Sequence, residues 1–261
     1  GSARMMYQET VPAHVVNAFQ GESGLPEPAG HAWDHGWRIG PVVYSRASGV
    51  AAGWSAKLRG SLHVDGVRLA RPVRSTDGRF IVAGWKASTW IDGELARRVD
   101  ETVLVALRLT EALAGLNGHA FPPEPEHSDP FVLAEQRAWE EDAPEYREIS
   151  GPLQFGHADL LACTLYHGNQ APAVTDLVPF AAPRPPAYTA ALVMVDGLIA
   201  GAVDDGIVDR FRHLPDIDQL LLRAVAYRRH VNELPPRGSS NARAHIRRVE
   251  DLLMSEAADT N

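Results

Sequence analysis

Apolar residues recur along this chain in two periods, and the change between them falls near residue 90. On the N-terminal side the pattern is mostly that of strands. Residues 37–39 and 41–45 read as two strands joined at Gly40, and residues 67–75 and 79–90 flank a turn at Asp77-Gly78, the strongest short hairpin signal in the chain. Two helices interrupt this region. One starts at a Thr10 cap and carries Val15, Val16 and Phe19 on its apolar side; the other starts near Ser48 and repeats Val50, Trp54, Leu58 and Leu62 every fourth residue. After Asp92-Gly93 the period becomes helical, with Leu95, Val99, Val103 and Leu107 ending near Gly115. Asp129 can cap a further helix with Pro130 at its first position, running to about Glu141. Residues 187–200 form a nearly all-apolar helix, and helices over 217–234 and 240–257 are separated by Pro235-Pro236-Arg237-Gly238. The expected class is α+β, with a β-rich part over residues 1–90 and a helical part over 91–261.

One stretch of the helical part breaks the pattern. Residues 155–180, FGHADLLACTLYHGNQAPAVTDLVPF, read as a loop ending in His157-Ala158-Asp159, an apolar strand over 160–166, a turn over 167–172 and a second short strand that delivers Asp176. Such a ribbon holds two carboxylates on one rigid element, which suits a metal–phosphate site: one acid orients a nucleophile while the other carries a divalent cation. His-x-Asp alone is a weak signal, because it also occurs at His63-Val64-Asp65 and His127-Ser128-Asp129, where a turn and a helix cap account for it. On pattern alone, Asp176 as a strand-end residue bonding a nearby turn is an equal alternative.

Composition narrows the partners. A formal charge of −8, with 45% hydrophobic and 22% charged residues, describes an ordinary globular chain that offers no basic face to nucleic acid or to an anionic membrane surface. No apolar run approaches a membrane span, the opening residues lack a signal-peptide pattern, and the single cysteine, Cys163, allows no intrachain disulfide, so a cytoplasmic setting is expected. His31 and His35 have metal-like spacing around Asp34 without an identifiable third ligand. No G-x-S-x-G elbow is present.

The order of β-rich part, linker, helical part and ribbon ending in Asp176 resembles the aminoglycoside phosphotransferase branch of the protein-kinase-like fold. More narrowly, GVRLARPVRSTDGRFIVAGWKASTW (66–90) and PFAAPRPPAYTAALVMVDG (179–197) resemble an actinobacterial group of that branch whose functions are mostly unassigned. The resemblance implies two lobes and a cleft for ATP or GTP with Mg²⁺. In it, Asp159 is the catalytic aspartate, His157 braces its loop and Asp176 binds the metal. It also exposes departures. The second metal ligand, an asparagine in the family, is replaced by Cys163, a soft and poor ligand for Mg²⁺. The nucleotide-gripping lysine is replaced by Ser45 with Arg46 beside it, and the helix from Ser48 has no acid to hold such a lysine, so the ion pair is expected to be missing as a unit. The loop over residues 30–37 sets Trp33 and Asp34 where a triphosphate needs open backbone, and reads as a surface turn before a phosphate cradle. The resemblance therefore implies a degenerate, pseudokinase-like phosphotransferase that binds a nucleotide, metabolite or protein partner; the alternative is an active ATP- and Mg²⁺-dependent small-molecule kinase.

Overall fold

A computed structural model describes residues 9–235 and 238–260 as a mixed α+β structure. Its larger sheet contains β1 (Glu27–Gly30), β2 (Gly36–Ile39), β3 (Val42–Arg46), β5 (Ile81–Val82) and β6 (Trp85–Thr89), all antiparallel, in the order β1-β2-β3-β6-β5. Helix α1 (Ala13–Ala18) lays Val15, Val16 and the following Phe19 on one face, against Ile39, Tyr44, Val82, Trp85 and Ala87. Helix α2 (Ala52–Ser61) sends Leu58 into the main helical core.

The turn chemistry was read one turn too early. Asp77-Gly78 does turn, with the Gly78 N–H donating to the Ser75 carbonyl at 2.9 Å. The tight hairpin, however, closes at Ala83-Gly84, where Ile81 faces Lys86 and Val82 faces Trp85. Both loop residues have positive φ, 50° and 79°, as a two-residue primed turn requires. An alanine there runs against local preference; burial of Val82 and Trp85 in the sheet core sets the register instead. The 67–75 stretch is likewise divided. Residues 71–73 run beside β6, with Val73 N–H donating to Ala87 and Thr89 N–H to Arg71, both at 2.9 Å. The preceding β4 (Arg68–Leu69) leaves to pair in parallel with β8 (Ala173–Val174), which pairs antiparallel with β7 (Thr164–Leu165). This second sheet ties the strand-rich part of the chain to the ribbon.

The helical part is built on α6 (Tyr188–Ile199), in which Tyr188 through Val195 are all buried, as its unbroken apolar run predicts. Around it pack α3 (Val99–Ala114), α8 (Ile217–Asn232) and α9 (Ser240–Thr260), while α4 (Pro130–Glu140) packs on α8. Asp129 caps α4 as expected, its carboxylate accepting from Phe131 N–H at 2.9 Å. Part of the break at residues 235–238 falls on 236 and 237, outside the described residues. One expectation fails inside the ribbon: residues 160–166 are not a strand. Leu160–Cys163 is a single helical turn, α5, whose Leu160 carbonyl accepts from Thr164 Oγ1 at 2.7 Å, and only Thr164–Leu165 is extended. A short apolar run satisfies either conformation, so periodicity cannot separate them. A short helix at Ile207–Arg210, α7, also went unread. Among the described residues no helix is long and apolar enough to cross a membrane.

Gly197 sets the approach of α6 to α3, because a Cβ there would lie 2.6 and 2.9 Å from the two Val99 methyls. Gly197→Ala should therefore lower unfolding free energy in urea by about 1–3 kcal/mol, the usual cost of overpacking. An unchanged midpoint would show that the two helices can separate freely.

Candidate functional site

The ribbon meets the large sheet at a polar cluster centred on Lys86. Its strand, β6, is paired on both edges by β3 and β5, and its residues 85–88 are all buried, so a lysine there needs partners. It has two: Nζ donates to Asp176 Oδ2 and to Asp34 Oδ2, each at 2.9 Å. The Lys86 side chain is 11% exposed, Asp176 17% and Asp34 58%, so Asp34 is the partner on the solvent side.

Both oxygens of Asp176 are engaged by the protein itself. Oδ1 accepts from Ser55 Oγ at 2.5 Å and from Leu177 N–H at 2.8 Å, with Arg59 Nε at 3.8 Å, while Oδ2 takes Lys86. Burial alone raises a carboxyl pKa, but Lys86, then Arg59 and the Ser55 hydroxyl, outweigh it and hold Asp176 down at about 2. Lys86 is pulled down by burial and up by the two carboxylates, and ends raised. Arg59 is fully engaged beneath them: its Nη1 donates to the Ala70 carbonyl at 2.7 Å and to Ser88 Oγ at 3.1 Å, and Nε donates to Ser55 Oγ at 3.1 Å.

Behind this cluster His157 joins the two acids through the backbone. Asp159 N–H donates to its Nδ1 at 3.0 Å, so Nε2 carries the proton and donates to the Asp176 carbonyl at 2.7 Å. Burial, the largest influence, lowers its pKa to about 4, and the ring is neutral. Asp159 keeps its side chain 46% exposed. Removal from water raises it to about 7; Arg228 opposes this, and Asp196, Asp34 and Asp176 add to it. Arg228, from α8, donates Nη2 to the Ala158 carbonyl at 2.8 Å and lies 3.7 Å from Asp159, held in place by Asp196 of α6 at 2.6 and 2.7 Å.

No protein-family model matches this chain, and no curated protein does.

The residues singled out in the sequence thus divide. His157, Asp159 and Asp176 stand together as the ribbon pattern requires. Ser45 is buried directly across the ladder from Lys86. Arg46 leaves by the opposite face, over the Trp85 ring at 5.2 Å and 3.5 Å from Glu9, and does not enter the cluster. Cys163 lies buried in the helical turn, its thiol pushed well up by burial, while its carbonyl accepts from Thr175 N–H at 2.9 Å. His31 Nδ1 and His35 Nε2 lie 3.1 Å apart, and no group of three or more His, Cys, Asp or Glu able to hold a metal occurs among the described residues. The donors around Asp176 do not fit Mg²⁺ as arranged: both carboxylate oxygens are engaged by protein donors, and Cys163 is a buried, soft ligand. The expected lysine position on β3 holds Ser45 and α2 offers no acid, while Lys86 reaches the cluster from the neighbouring strand. Lys86, Ser55, Arg59, Arg228 and Asp196 were all missed, and Asp34 was read only as a charge in the loop over residues 30–37. Lys86 left a signal as the one charged residue of the strand WKAST.

The pKa shifts predict acid sensitivity. His157 takes a proton near pH 6.5 when unfolded and near pH 4 when folded, so stability is lost as pH falls between these values, by about 3 kcal/mol. Asp176 contributes stability that is present above pH 3.8 and is lost as pH falls toward about 2. Asp159, with its raised value, acts in the opposite sense between about pH 7 and pH 4. The difference in unfolding free energy between the wild type and His157→Gln isolates the histidine: it should shrink steadily from pH 7 to pH 4. A difference that does not vary with pH would mean that the ring is not held neutral.

Proposed function

We propose that this chain belongs to the aminoglycoside phosphotransferase-like branch of the protein-kinase-like fold, with an N-terminal lobe to about residue 90 and a helical lobe beyond it, and that it is a degenerate member. It acts as a binding module for a nucleotide or a phosphorylated metabolite, with metal-dependent phosphoryl transfer lost. One observation carries this reading: the Asp176 carboxylate, which an active enzyme would devote to a cation outside the protein, is spent on Lys86, Ser55 and Leu177 N–H. Lys86 supports the binding half of the proposal, since a largely buried ammonium facing a cleft is a natural partner for a phosphate oxygen.

A second reading, an active small-molecule kinase, has its own support. Asp159 at about 7 and half exposed is poised to take a proton from an approaching hydroxyl at neutral pH. Arg228 and His157 fix its backbone, the positioning such a base requires.

A thermal shift titration with ATP and GTP, with and without Mg²⁺, separates the two. The binding module should be stabilised to the same extent in both conditions, by about 2.7 kcal/mol if ligand reaches a hundred times its dissociation constant, and should form no phosphorylated product. Stabilisation that requires Mg²⁺, accompanied by hydroxyl-dependent release of ADP or GDP that Asp159→Asn abolishes and that declines as pH falls below about 7, would establish the kinase instead.

A further inference from the structure

We propose that Asp34 is a tethered competitor at an oxyanion site on Lys86: its carboxylate occupies the place of a phosphate-type ligand, and binding exchanges one anion for the other. This rests on reading the cleft as an anion-binding module, and it assigns the groups that bind and the group that opposes binding.

Position comes first. Asp34 is more than half exposed and meets Lys86 from the solvent side, whereas Asp176 meets the same ammonium from within. An anion entering the cleft therefore encounters Asp34 before the cation. Charge gives the same answer. Lys86 and Arg59 face Asp176 and Asp34, and removal of the Asp34 carboxylate makes this poorly solvated setting more positive by one charge, which favours an incoming anion.

The loop that carries Asp34 is built to hold it there. Asp34 and His35 both take left-handed backbone, φ 53° and 54°, a conformation that Asp and His accept more readily than most residues carrying a Cβ. The Lys86–Asp34 pair is open to solvent on the Asp34 side, so Asp34 is less confined than Asp176. The loop is nonetheless anchored: Thr175 Oγ1, next to Asp176, donates to the Ala32 carbonyl at 2.6 Å, Trp33 stacks on Trp90 with centroids 5.5 Å apart, and His35 N–H donates to the Gly30 carbonyl at 3.0 Å. Exchange thus needs only rotation of the Asp34 side chain, with the loop left in place.

The test is calorimetric titration of the full chain with inorganic tripolyphosphate, and separately with ATP, at fixed ionic strength. Asp34→Asn removes the charge and keeps a residue that tolerates left-handed backbone; Asp34→Gly serves as the second variant if the first unfolds. Asp65→Asn, remote and almost fully exposed, controls for net charge. The expected result is tripolyphosphate binding about tenfold tighter or more in Asp34→Asn, with Asp65→Asn equal to wild type and the gain lost in Asp34→Asn/Lys86→Gln. Equal affinity in wild type and Asp34→Asn, an equal gain in Asp65→Asn, a gain that survives the Lys86 change, or no binding by any variant would each overturn the proposal. ATP binding that is the same in wild type and Asp34→Asn overturns the tethered competitor and leaves the nucleotide-binding reading standing. Tighter tripolyphosphate binding with no ATP binding supports the competitor and removes the nucleotide reading.

Discussion

The structure around the cleft depends on how one buried carboxylate is neutralised. Asp176 sits where the ribbon meets the large sheet, nearly out of water, and a charge there is tolerated only if every lone pair is answered. The answer comes from three separate elements: Lys86 from β6, Ser55 and Arg59 from α2, and the next residue of the ribbon through its own N–H. Because these donors belong to different parts of the chain, the electrostatic requirement of one side chain locks sheet, helix and ribbon together. Arg59 extends the same lock to the Ala70 carbonyl, in the segment that follows β4.

A second, parallel arrangement lies on the helical side. Asp196 orients Arg228, Arg228 takes the Ala158 carbonyl, and His157 spans the backbone from Asp159 to Asp176. The two acids of the ribbon are therefore held by opposite means. Asp176 is surrounded by donors and kept ionised, whereas Asp159 is raised toward neutrality by removal from water, against the pull of Arg228 at 3.7 Å and with the help of Asp196, Asp34 and Asp176. Environments that push two carboxylates apart are how one site comes to contain two roles. Here the inner acid anchors the architecture, and the outer one keeps its side chain partly open to solvent.

The main elements were legible where the signal is local and long. The all-apolar run of α6, the Asp129-Pro130 start of α4 and the periodic helices α3, α8 and α9 required nothing beyond spacing and capping chemistry. Short pieces failed for an identifiable reason. The seven residues after Asp159, all apolar but Thr164, fit a strand as well as a helical turn, and the choice was made by Thr164 and by the pairing of β7 with β8. The hairpin moved from Asp77-Gly78 to Ala83-Gly84 because core burial of Trp85 outweighs turn preference.

By itself the sequence determined the α+β class and the change from strands to long helices after residue 90, because these follow from period and caps. Only the tertiary structure decided which cations serve Asp159 and Asp176. Lys86 and Asp176 are 90 residues apart, and Ser55 and Asp176 are 121 apart. No spacing rule reaches across such separations. The β3–β6 ladder puts Lys86 opposite Ser45, so the cation at this place comes from a strand distant in sequence from the ribbon. A buried ion pair constrains where two charges meet in space, and leaves open which part of the chain provides either one.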